Sequence, residues 1–280
     1  MDSNEPIVGF DPAAPPPPPV APATPAAPAK QLAGENPVFN LWDVLLIFVT
    51  AAVSLFFCSL FALLVIYATH QGSGRLNEKQ LAGNILVFLP AQVAAYILTV
   101  GFMVFLIWQK YRMDFLQAVK WNMPEGKMAW GALGVGAGLA VATQLASAVL
   151  HPWIPKSLPI EQYFRTPASA YALAAFGILV APFVEELFFR GFLFPALARP
   201  LGLFWSTIIT AFGFALIHGE QLAHAWIPLL LLFSVGTVLT LARAKTKSVA
   251  VSVLIHIGYN TTLFTILYIA THGFRRMDLG

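Results

Sequence analysis

The sequence predicts an all-α fold: a polytopic transmembrane helical bundle of about 7–8 membrane helices behind a disordered Pro/Ala-rich N-terminal tail. Three observations carry that expectation. Of the 280 residues, 58% are hydrophobic and only 10% charged, with a mean hydropathy of +0.73, whereas a water-soluble domain carries about 25% charged residues. Several apolar runs reach the roughly 20 residues that cross a bilayer as a helix. These runs are continuous rather than alternating, so of the two structures that satisfy their own backbone in lipid, helices are chosen over a barrel.

Taken in order, residues 1–38 form a region of their own, with prolines at 15–19 and a Pro/Ala alternation up to Pro28. Such a composition is an extended, solvated spacer. It lacks the basic start and apolar stretch of a signal peptide. The transmembrane domain follows at 39–280, with apolar helices at 40–69, 84–109, 129–150, 170–198, 203–218, 226–242 and 249–271. The first contains the lone cysteine, Cys58, which excludes an internal disulfide and any cysteine-based metal site. No internal repeat of the kind that builds many transporters is visible.

The net charge of +3 is small, and the basic residues lie between apolar runs, which excludes a nucleic-acid surface. Lys110, Arg112, Lys120 and Lys127 occupy one loop, and Arg243, Lys245 and Lys247 another. With seven spans both share a side with the N-terminus, which the positive-inside rule places in the cytoplasm of a cell with an inner membrane. Arg75, Lys79, Lys156 and Arg165 lie opposite, and Arg275 and Arg276 oppose this orientation.

Function is carried by polar residues inside these helices. The fourth contains Glu185, Glu186 and Arg190. An ionised side chain at a helix centre costs roughly 2.5–3.5 kcal/mol on insertion scales, so such residues face a partner or a wet cavity. Glu186 and Arg190 are spaced i,i+4 and can form a structural ion pair. Glu185 points about 100° away and is free for other work. Pro182 removes a hydrogen bond to the Ile178 carbonyl and is expected to kink the helix just before the glutamates.

His218 ends the fifth run. It follows the turn at 199–202 by about as many residues as Glu185 precedes it, so a helical hairpin sets the two at similar depth. His256 and Asn260 share a face of the last helix, where Gly258 permits close approach of a neighbour. Taken alone, each of these is as readily a packing hydrogen bond as a functional group. Together, a carboxylate and a histidine can deprotonate water, while a second histidine and an amide can donate to an oxyanion. Equally, Glu185, His218 and His256 could hold a divalent metal such as Zn, whose water would attack, although no HExxH occurs.

Glu185-Glu186-xxx-Arg190, Phe214-xxx-His218 and His256-xxx-Asn260 resemble the three-part EExxxR, FxxxH, HxxxN pattern of the CPBP family of membrane proteases. That family includes the CAAX prenyl endopeptidases and bacteriocin-processing or self-immunity proteins. The resemblance covers about 170–264, including FRGFLFPAL at 189–197, and leaves out the first three helices and the tail. It implies an intramembrane endopeptidase, commonly called a metalloprotease, acting on a membrane-anchored or prenylated protein or peptide. It also implies that Glu185 and His218 activate water and that His256 and Asn260 stabilise the oxyanion. Glu186 and Arg190 carry over as motif members, Glu186 also as a candidate catalytic residue. Two other classes compete: a non-catalytic membrane scaffold or bacteriocin self-immunity protein, which needs none of these side chains, and a transporter using them as a proton relay.

Overall fold

The computed structural model describes residues 39–69, 85–164 and 166–275, which contain helices and turns and no strand. The tail at 1–38 and the loop cations Arg75, Lys79, Arg165 and Arg276 lie outside the described residues.

Helix α1 runs Leu41–Thr69. Its entry is fixed by a reciprocal cap, in which the Asn40 N–H donates to Asp43 Oδ2 (2.9 Å) and the Asp43 N–H to Asn40 Oδ1 (3.1 Å). Asp43 is buried and also accepts from Lys110 Nζ and the Tyr111 hydroxyl. Those two residues close α2, which runs Ile85–Leu106 and continues as a π turn over Ile107–Tyr111. Arg112 stops it in the left-handed region at φ 55°. After a single turn, α3 (Phe115–Ala118), comes α4 (Gly126–Val149). Two 3-10 turns, His151–Trp153 and Pro159–Phe164, lead on to α5 (Pro167–Leu179).

From here the chain departs from the single helix expected at 170–198. It starts earlier, because Thr166 and Ser169 cap α5 reciprocally with Pro167 at the first position, where its missing N–H costs nothing. It also breaks: α6 (Ala181–Glu186) is followed by a π turn, Leu187–Leu193, and then by α7 (Phe194–Leu216). Helices α8 (Trp226–Thr246) and α9 (Val249–Ala270) complete the fold, α9 being capped by Ser248, which accepts from the Val251 N–H.

Six helical stretches are long and apolar enough to cross a membrane, one of them the 50 residues Pro167–Leu216. As one straight helix that stretch would reach about 75 Å, more than twice the hydrocarbon thickness. Gly202, at φ 71°, breaks it just after Pro200. Counted as two passes, it brings the described residues to seven.

Two features mark the bundle as built for lipid. Phenylalanines such as Phe56, Phe57 and Phe61 are more than 60% exposed on α1, whereas Asp43, Glu186, Arg190 and Arg243 are at most 1% exposed. And helices meet backbone to backbone where glycine allows it. A Cβ on Gly136 would sit 2.0 Å from the Ile255 carbonyl oxygen, and one on Gly258 would sit 2.3 Å from that of Leu133. Lipid offers little apolar drive for helix association, so such close van der Waals contact holds α4 against α9. At one end the two basic loops meet: Asn122 Nδ2 donates to the Lys247 carbonyl (3.0 Å) and the Val249 N–H to that of Lys120 (3.1 Å).

Candidate active site

The site begins at the break between α5 and α6. Val180 (φ −115°, ψ −55°) is distorted from ideal helical φ while its N–H still bonds the Phe176 carbonyl, and Pro182 has no N–H to offer the Ile178 carbonyl. Glu185 and Glu186 are therefore held between this break and the π turn that follows. π turns inside helices recur at functional sites because the extra residue re-aims the side chains around it.

Glu186 and Arg190 are fully buried. Arg190 Nη1 donates to Glu186 Oε1 at 2.8 Å, Nη2 to the Gly236 carbonyl at 2.8 Å, and Nε to Thr240 Oγ1 at 3.3 Å. The guanidinium also lies 4.7 Å from the Phe214 ring centroid. All three guanidinium nitrogens are thus engaged, and the π turn is tied to α8. Glu186 Oε1 also lies 3.0 Å from His256 Nδ1. An ionised carboxylate only accepts, so Nδ1 carries a proton and the His256 ring presents Nε2 elsewhere.

That Nε2 lies 3.9 Å from Glu185 Oε2. The other oxygen, Oε1, accepts from the hydroxyl of Tyr96 on α2 at 3.4 Å. His218 Nδ1 is 2.8 Å from the Phe214 carbonyl. A carbonyl cannot donate, so this nitrogen too is protonated and Nε2 of the neutral ring is an acceptor. Asn260 Nδ2 donates to the Gly177 carbonyl at 2.6 Å, in the last turn before the break. One of its two amide protons is used there and the other is left for a second acceptor.

Glu185, His218, His256 and Asn260 all line one cavity of about 710 Å³. Glu186 and Arg190 do not line it and stand behind its wall. Along a continuous helix the 33 residues from Glu185 to His218 would span about 50 Å. Their meeting in one cavity follows from the reversal at Gly202. The lining is mostly apolar, and part comes from helices outside the motif region: Phe48 and Leu55 on α1, and Phe88, Gln92 and Tyr96 on α2. Tyr96 is a contributor that sequence reasoning missed. The local signal was a line of polar residues, Gln92, Tyr96 and Thr99, about one turn apart in an apolar run.

Glu185, His218 and His256 were also candidates for holding a metal. Among the described residues no three His, Cys, Asp or Glu side chains converge closely enough to hold one ion. As placed, this trio does not fit a closed ligand set.

Residues 167–262 match the family described as Type II CAAX prenyl endopeptidase Rce1-like. The match places this segment in the CPBP/CAAX protease family and contains all three motif parts. No curated protein and no solved structure matches the chain. The six apolar helical stretches mark a multi-pass membrane protein, and the matched segment is similar to the CAAX-type intramembrane endopeptidases.

Proposed function

We propose that the protein hydrolyses a peptide bond in a membrane-tethered protein or peptide, of the CAAX prenylated type, with water activated by Glu185 and His218. The observation that carries this is the convergence of Glu185, His218, His256 and Asn260 on one largely apolar cavity. The apolar walls suit a lipid chain or hydrophobic segment, and the polar groups suit the peptide beside it.

A water in the cavity gives its proton to Glu185, with His218 Nε2 as a second acceptor, and its oxygen attacks the scissile carbonyl carbon. The carbonyl oxygen becomes an oxyanion. His256, with its Nδ1–H held by Glu186, donates from Nε2 in its doubly protonated form, and Asn260 donates its second amide proton. The C–N bond then breaks, and the proton taken from water passes to the leaving amine. Products are a carboxylic acid and an amine. No step is routed through a metal. Zinc on Glu185, His218 and His256 would require the three side chains to draw together, and chelation tests that alternative directly.

Cleavage of a farnesyl-cysteine peptide in H₂¹⁸O tests the reaction class. Hydrolysis puts one ¹⁸O into the new carboxyl group, as read by mass spectrometry. A cleaved product without label would contradict direct attack by water. Solute or proton flux in liposomes without cleavage would favour the transporter alternative instead.

A further inference from the structure

The groups assigned above lie in the matched segment, but the cavity is completed by α2, and one α2 side chain reaches the proposed base itself. We infer that Tyr96 is a positioning residue for Glu185, fixing the carboxylate so that one oxygen is presented to the water and His256. The inference rests on the proposed hydrolytic role of Glu185.

A glutamate has three rotatable side-chain bonds, and a carboxylate in a roomy cavity samples several rotamers unless something holds it. Glu185 Oε1 is held by the Tyr96 hydroxyl at 3.4 Å, which leaves Oε2 as the oxygen facing His256 Nε2 at 3.9 Å. Tyr96 is itself fixed. Its ring stacks on Phe176 with centroids 5.7 Å apart and planes 25° apart. Gln92, one turn earlier on the same helix, lines the cavity beside it. Phe176 precedes Gly177, whose carbonyl receives Asn260, and its own carbonyl receives the Val180 N–H at the helix break. Tyr96 therefore braces the base and, through Phe176, the turn that holds the proposed oxyanion donor. Positioned groups of this kind raise turnover rather than affinity.

The test uses full-length protein in detergent. Tyr96→Phe keeps the ring and its stack on Phe176 but removes the hydroxyl. It is expected to lower kcat on a farnesyl-cysteine peptide by about two- to fivefold, the effect of one long hydrogen bond at the weak end of the range, with KM and thermal melting unchanged. Tyr96→Leu, which also loses the stack, is expected to lower kcat further. Unchanged kcat in Tyr96→Phe, or an effect confined to KM, overturns the assignment; the second result would make Tyr96 a substrate contact. A readout independent of turnover separates this from the function itself. In protein with ¹³C-labelled tyrosine, the ring C–O infrared band lost in Tyr96→Phe is expected to shift in Glu185→Gln. A band that stays in place removes the contact, whether or not the wild type cleaves the peptide.

Discussion

At the scale of single residues, two adjacent glutamates are given opposite work by where their side chains point. Glu186 is enclosed, with Arg190 and His256 on one oxygen. Removing one partner of a buried ion pair leaves a desolvated charge, at a cost of about 3–5 kcal/mol. Arg190→Gln is therefore expected to lower thermal stability in detergent by that order, with a partial loss of activity. Full loss of turnover at unchanged melting would mean Arg190 acts in the chemistry. Asn260 has one amide proton on Gly177 and one free. Asn260→Ala is expected to reduce kcat by about 10²-fold while KM stays within about twofold. A change confined to KM would make it a binding contact. The i,i+4 arithmetic on one helix was enough to bring Glu186 to Arg190. It could not supply Tyr96, whose contact with Glu185 spans 89 positions of sequence, nor the choice of Gly177 as partner for Asn260. Both depend on how helices pack, which composition and spacing do not encode.

At the scale of elements, the apolar runs were legible because lipid demands length and uniform hydrophobicity, and those are visible in any sequence. The breaks were harder. Pro182 announced a kink, but not the π turn over Leu187–Leu193, which arises from hydrogen-bond register. The start of α5 was set by a two-residue cap, Thr166 with Ser169, outside the apolar run itself. The contact of α4 with α9 rests on glycines that admit a neighbouring backbone. Gly258→Ala places a Cβ about where the Leu133 carbonyl oxygen now lies, 2.3 Å away. Because α9 also holds His256 and Asn260, the forced shift is expected to cost about 1–3 kcal/mol and to lower kcat. Unchanged melting in Gly258→Ala would show that the two helices are not in backbone contact.

At the scale of the whole molecule, the matched segment contains the motifs, while α1 and α2 complete the cavity and Tyr96 of α2 contacts Glu185, the proposed base. The Pro/Ala tail at 1–38 precedes the matched segment and lies outside the described residues. Deleting residues 1–36 is expected to leave kcat on a soluble-headed lipidated peptide within about twofold of the full chain, because the first cap of α1 begins at Asn40. A large loss in well-folded truncated protein would bring the tail into the reaction. The central claim is that Glu185 activates water for peptide hydrolysis in the membrane. It is tested most directly by a quenched fluorescent peptide bearing a farnesylated cysteine, incubated with purified wild type and Glu185→Gln, each with and without a chelator. The account predicts cleavage by the wild type, insensitivity to the chelator, and a loss of about 10³-fold in Glu185→Gln with normal folding. Near-normal cleavage by Glu185→Gln would contradict the role of Glu185, and abolition by the chelator would contradict the metal-free route.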